Sequence, residues 1–446
     1  MRRRLPILYS ALLLTGVNLL LRLASTGFGV YLSGRIGPSG MGLMQLVLSV
    51  NALSITAAMG GIRTGTMYLT AEELGRKKEG HVKWVLSGCF IYSLAISCTV
   101  GGAVYYFAPW LAEKWVGDLN TAPAIRLLAC FLPVICLCGV MTGYFTGASR
   151  IGTLAAVEVA EQFCAMAITM AALSLWAGTD PYKACICMLL GSGLGSCLTL
   201  GCLLYLRHKE QAPHSPSIPV SRRLLSLAVP LALADDLKAG INTAENLMVP
   251  KRLALFPGAA APLAAFGTVC GMVFPVLMFP AAILYALAEL LIPELARCAA
   301  AGHTNRIRHL AKKGLIFAFL YSCVCCMILF ICAKPLCRIL YHNAQAGFYL
   351  QLFAPLIPML YCDAITDAMT KGLGQQTINV RNNIITSLLD VALLFWLLPI
   401  LGMQGYFISF LVTHMLNFLL SLGRLMKITR AMTAEKAAYP AALSDI

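Results

Sequence analysis

Five polar residues recur at helical spacing inside an apolar stretch. Between Pro230 and Pro250 the chain reads PLALADDLKAGINTAENLMVP, and Asp235, Lys238, Asn242, Glu245 and Asn246 follow steps of three, four, three and one. At about 100° per residue they share one helix face, with Leu237, Ile241, Ala244 and Met248 opposite. A second line, Thr15, Asn18, Arg22, Ser25 and Thr26, repeats the same steps near the start of the chain. Ionisable groups at membrane depth are costly unless they face a bundle interior or a wet cavity, so in a spanning helix such a line marks a transport path. Arg22, Lys238 and Arg63, which follows Gly60-Gly61, are three cations at cavity positions. They suit an anionic ligand, and arginine in particular grips phosphate in fork geometry. The candidate substrate contacts are therefore Asn18, Arg22, Arg63, Asp235, Lys238, Asn242, Glu245 and Asn246. For Arg22 the competing role is an internal ion pair that holds helices together.

The elements that position these residues follow from composition. The 446 residues are 59% hydrophobic and 12% charged, with a mean hydropathy of +0.78, outside the range of soluble domains. Apolar runs long enough to cross about 30 Å of hydrocarbon recur twelve times, the first near 7–33, the seventh near 224–249 and the last near 404–426. The fold class is an all-α polytopic membrane protein. The first run is too long, and lacks the small-residue cleavage site, for a removed signal peptide. The net charge of +15 is explained by topology rather than by nucleic acid: with the N-terminus inside, 23 Lys and Arg fall on the cytoplasmic side and seven on the other. Both termini are thus expected in the cytoplasm of a bacterial inner membrane. The 18 cysteines lie almost entirely within apolar runs and behave there as small hydrophobes. The C-x-C pairs place their sulfurs about 200° apart on a helix, unsuited to one metal ion, and no metal or cofactor is expected.

Other carboxylates fall inside the apolar runs. Glu158 and Glu161 share a helix face, where one can pair with Arg22 and the other bind a cation, or both can serve interhelical pairing. Asp363 and Asp367 stand one turn apart, with Lys371 a further turn on. A carboxylate pair of this kind can take Na⁺ or share a proton, since repulsion raises one of the two pKa values. Lys371 can instead neutralise Asp367 locally. Glu161, Asp363 and Asp367 are the candidates for coupling to Na⁺ or H⁺. Asp390, Glu289 and the one histidine within a helix interior, His414, read as packing residues. No P-loop, no HExxH and no sizeable soluble loop is present, so an enzyme is not expected.

The chain echoes itself. At an offset of 225 residues Ala129 meets Ala354, Pro133 meets Pro358 and Gly147 meets Gly372, and at a slightly larger offset Tyr92-Ser93 is echoed by Tyr321-Ser322. Two pseudo-symmetric six-helix lobes follow, 1–207 and 224–446, joined by the Pro- and Ser-rich linker 208–223. Two such lobes suggest alternating access around cargo held in a cleft.

At this point the residues carry a family resemblance. The runs RLASTGFGVYLSGRIGPSGMGLMQL and GGIRTGTMYLTAEELGRKKEGH resemble the opening helices of the stage V sporulation protein B family of polysaccharide exporters. VPKRL at 249–253, FPVLMFPAAILYALAELLIPELARCAAAG at 274–302 and TDAMTKGLGQQ at 366–376 continue the match in order. The resemblance implies the fold of the multidrug/oligosaccharidyl-lipid/polysaccharide superfamily and a lipid-linked glycan cargo of the undecaprenyl-pyrophosphate type, a cell-wall or spore-cortex precursor. It implies a monomer among membrane lipids, with no nucleic acid partner. Two features depart from the family: Arg63 stands where proline is usual, and the sequence stops soon after its twelfth span, where lipid II flippases carry two more helices. The alternative within the same fold is a Na⁺- or H⁺-coupled multidrug exporter. A third class is a non-transporting scaffold for envelope assembly.

Overall fold

The computed structural model of the protein describes residues 4–76, 80–209 and 221–443. Among them all regular structure is helical: α1 (Arg4–Met59), α2 (Ile62–Gly75), α3 (His81–Trp110), α4 (Ala122–Gly147), α5 (Ile151–Ala172), α6 (Pro181–His208), α7 (Ser221–Leu253), α8 (Pro262–Thr268), α9 (Phe274–Met278), α10 (Ala281–Ala300), α11 (Thr304–Tyr341), α12 (Ala344–Phe353), α13 (Ile357–Gly372), α14 (Gln376–Leu401) and α15 (Met403–Leu443). Nine stretches among the described residues are long and apolar enough to cross a membrane, ten when the bent pair Pro262–Met278 and Ala281–Ala299 counts as one. Two physical causes separate that number from twelve apolar runs. The stretch Leu19–Gly75 holds two runs, because α1 breaks at Gly37 (φ 67°, ψ −178°) ahead of Pro38 without ending. α7 fails the apolar test because it carries the polar stripe. Large exposed side chains such as Leu320, Met327 and Ile331 on α11 are apolar, as lipid contact requires.

By internal contacts the chain groups into two compact units: residues 1–17 with 31–247, and residues 18–30 with 248–446. In the first unit α4 is central, packing on α2, α3 and α6. Its core joins Ile62, Leu69, Val85, Met141 and Phe145 to Leu224 and Ala228 of α7. In the second unit α13 is central, packing on α10, α11 and α15. There Phe274, Phe353, Tyr406 and Phe410 form an aromatic cluster with ring centroids 5.2–6.5 Å apart.

The residues that echo one another in sequence do equivalent work in the two units. α2 starts after a break at Gly60 and Gly61, and α10 starts after a break at Pro280. Each break weakens the helical bonding of a carbonyl, and that of Pro280 accepts a 3.4 Å bond from the Ile283 amide. Tyr92 Oη donates to the Gly60 carbonyl at 3.1 Å, and Tyr321 Oη donates to the Pro280 carbonyl at 2.9 Å. The paired glycines match as well. A Cβ on Gly147 would stand 2.6 Å from the Met67 carbonyl oxygen on α2, and a Cβ on Gly372 would stand 2.8 Å from the Ile292 carbonyl oxygen on α10. No side chain fits at either crossing.

Candidate functional site

The first unit carries an open cavity of about 570 Å³. Its walls are the second half of α1, the start of α2 and the middle of α7. α7 contributes Asp235, Lys238, Asn242 and Asn246, at steps of three, four and four, so the stripe read from sequence is the cavity face of this helix. α2 contributes Arg63 and Thr64, aimed inward by the left-handed turn at Gly61 (φ 68°) that starts the helix. α1 contributes Gln45, Ser49 and Thr56. The hydroxyl of Thr243 donates to the Ser49 carbonyl at 3.1 Å and fixes the register of α7 on α1.

Charge is unevenly placed along this cavity. Arg63, Lys238 and Asp235 are its ionisable lining groups and leave a net positive charge; the remaining polar lining is amide and hydroxyl. From Asp235 to Asn246 the helix rises about 16 Å. The charged groups occupy the end nearer the start of α7, and Asn242, Asn246 and Gln45 the other. Arg63 also lies within electrostatic range of the half-buried Glu158 on α5. Arg63, Asp235 and Lys238 are all exposed to this open cavity.

Of the residues predicted from sequence, Arg63, Asp235, Lys238, Asn242 and Asn246 meet in this cavity. Glu245 is half-buried and not part of its lining. The side chain of Asn18 lies outside the described residues. Arg22 belongs to the second unit, where its guanidinium sits 5.3 Å from the centre of the Tyr285 ring on α10. Glu161 accepts a hydrogen bond from Ser196 Oγ at 3.0 Å. Asp363 and Asp367 have separate partners. Both Asp363 oxygens accept from Asn417 Nδ2 at 3.0 Å, and His414 Nδ1 stands 3.7 Å away; Asp367 pairs with Lys371 at 2.6 Å. His414 thus faces a carboxylate as well as packing against Phe410, 5.1 Å between ring centres. Asp390 accepts from Ser409 Oγ at 2.5 Å and Thr413 Oγ1 at 3.2 Å.

Sequence reading missed Gln45, Ser49 and Thr56, although their spacing of four and seven is the helical signal that identified α7. It also passed over Asp236, whose Oδ1 is buried without a hydrogen-bond partner beside the charged end of the cavity. A second cavity, about 410 Å³, lies in the other unit and is lined by Phe256, Phe348 and Tyr349 with Gln345 and Gln404, and by no charged side chain.

Comparison with known proteins places this geometry. Residues 253–396 match the MatE family. Stage V sporulation protein B of Bacillus subtilis is 22% identical over 434 residues, 94% of this chain and 84% of the relative. Sporulation protein YkvU of the same organism is 22% identical over 336 residues, 73% of each chain. Among solved structures, an inward-facing multidrug resistance transporter of the MATE family superposes with a TM-score of 0.75 at 15% identity, covering 93% of this chain and 99% of the other. A transporter of the same superfamily from Pyrococcus furiosus, described by the reversed polarity of its binding pocket, superposes with a TM-score of 0.69 at 15% identity, covering 95% and 96%.

Proposed function

We propose that this chain, a stage V sporulation protein B-like membrane transporter of the multidrug/oligosaccharidyl-lipid/polysaccharide superfamily, flips a lipid-linked oligosaccharide, a cell-wall or spore-cortex precursor, across the bacterial cytoplasmic membrane. The observation that carries the proposal is the net positive cavity in which Arg63 and Lys238 stand among amides and hydroxyls. A pyrophosphate supplies the anion for the two cations. Sugar hydroxyls supply donors and acceptors for Asn242, Asn246 and Gln45. Both termini lie in the cytoplasm in this scheme, following the bias of Lys and Arg, and the transporter works as a monomer. The relatedness to sporulation proteins supports an envelope precursor as cargo.

The test is binding of undecaprenyl pyrophosphate to the protein in nanodiscs. Lys238→Gln and Arg63→Gln are each expected to raise Kd at least ~10-fold, the scale of one charge-assisted phosphate contact. An unchanged Kd in both variants contradicts the proposal.

A second reading has one observation in its favour. The buried carboxylate of Asp363, held by Asn417 and facing His414, is suited to taking up a proton or Na⁺ from a gradient. It serves either to drive the flippase or to drive a multidrug exporter. The aromatic cavity of the second unit has no acidic lining for an organic cation, which favours the first of these uses. Asp363→Asn is expected to remove any dependence of transport on a pH or Na⁺ gradient while leaving pyrophosphate binding intact; a gradient dependence that survives the substitution rules Asp363 out.

A further inference from the structure

At one end the cavity is bounded by a helix contact. The lining ends at Gly61, Arg63 and Thr64 on one side and at Asp235 on the other. Beyond it, towards the start of α7, α2 and α7 touch backbone to backbone. A Cβ on Gly61 would overlap the carbonyl oxygen of Ala228 and stand 3.1 Å from the Ala232 amide nitrogen. One turn on, a Cβ on Gly65 would meet Leu224 Cδ1 at 3.3 Å. The helices run antiparallel here, since Gly61 faces Ala228 and Gly65 faces Leu224. The contact is a close backbone approach at Gly61, flanked by Leu224 and Ala228, which are buried in the core of the first unit.

An ionic cluster fastens this contact. Arg223, in the first turn of α7, places Nη2 2.5 Å from Glu72 Oε2 and Nη1 3.1 Å from Glu73 Oε1. The Glu73 side chain is only 2% exposed. Removing the partner of a buried carboxylate is ordinarily expensive, because the charge is left uncompensated. Here each carboxylate has a second partner that does not belong to α7. Arg76 stands 2.6 Å from Glu72 Oε1, and His81 Nδ1 stands 3.1 Å from Glu73 Oε2. When Arg223 leaves, Glu72 keeps a charged partner in Arg76, and Glu73 keeps a hydrogen-bond partner in His81, which balances its charge only when protonated.

We propose that the α2–α7 contact is the gate at this end of the cavity, and that Arg223 with Glu72 and Glu73 is its releasable lock. The proposal rests on the cavity being the cargo site. These are positioning residues: they touch no cargo, but set whether Arg63 and Lys238 are reached from the linker side. The cycle requires Arg223 to leave the cluster each time the gate opens, while Arg76 and His81 stay on Glu72 and Glu73.

The test reads the gate without reference to cargo. Gly65→Cys with Leu224→Cys places two thiols across the contact, and their oxidative cross-linking rate is measured in nanodiscs against the same protein lacking the pair. Adding Arg223→Gln is expected to slow cross-linking at least ~10-fold by shifting the population towards the open gate, while Arg223→Lys keeps it near the starting rate. An equal rate in all three, or an equal loss in the Lys and Gln variants, overturns the lock. Flipping of a fluorescent lipid-linked pyrophosphate is then expected to stop on oxidation and to return with reductant. Flipping that continues in the cross-linked protein overturns the gate. Lock-dependent cross-linking in a protein that binds no pyrophosphate would leave the gate standing and remove the cargo assignment instead.

Discussion

At the scale of single residues, the site is a question of where charge sits. Lys238 and Arg63 share one cavity with a single carboxylate, Asp235. Both cations are exposed to the open cavity, so their attraction to an anion is screened as salt rises. Pyrophosphate binding should therefore weaken with ionic strength, and Lys238→Gln should flatten that dependence as well as raise Kd; titration at low and high salt measures both. Asp235→Asn is expected to tighten binding severalfold by removing the one repulsive lining charge, and weaker binding would instead make Asp235 a partner of the cargo. Arg22 has a different setting, above an aromatic ring. Arg22→Ala should abolish flipping with little loss of folded protein, whereas Arg22→Lys keeps part of the activity because a cation–π contact tolerates either charge. The α7 residues were legible in sequence because a polar stripe in an apolar helix is a strong anomaly. Glu73 and Arg223 were not, since a charged residue near a helix end reads as solvated until the contact across helices is seen.

At the scale of elements, the two breaks explain how the internal repeat is built. Tyr92 and Tyr321 each cap a carbonyl at a helix break, and Gly147 and Gly372 each let a neighbouring helix approach to backbone distance. Tyr92→Phe and Tyr321→Phe should each cost about 1 kcal/mol of stability, as a lost buried hydrogen bond does. Gly147→Ala and Gly372→Ala should cost more, because their added methyl meets backbone, which cannot rotate away. Thermal unfolding of the four variants checks the order. The pairing of these residues was legible from their like order in the two halves, but their task was not. A tyrosine in an apolar run looks like core until the carbonyl beside it at the helix break is known. The spans show the reverse difficulty. Hydropathy alone separates α1 into two runs and accepts α7, whereas the structure keeps α1 continuous through the kink at Gly37 and shows α7 to be the most polar of the long helices.

At the scale of the whole molecule, the chain is an all-helical membrane protein with the fold of MATE-family transporters, and the proposed function turns on what it carries. Composition alone settled that it is a polytopic helical protein, because no soluble domain tolerates so apolar a sequence. The cargo had no such direct signature, since it depends on which charges share one cavity, and that is a property of packing. The structure brings two cations together in the first unit and leaves the aromatic cavity of the second unit uncharged. The most direct test is transport by the protein in proteoliposomes, with a defined undecaprenyl-pyrophosphate glycan set against a panel of organic drug cations. The account predicts that the pyrophosphate-linked glycan crosses at a rate that Lys238→Gln and Arg63→Gln each reduce at least ~10-fold, with no transport of the cations. Transport of the cations with no movement of the glycan would contradict it.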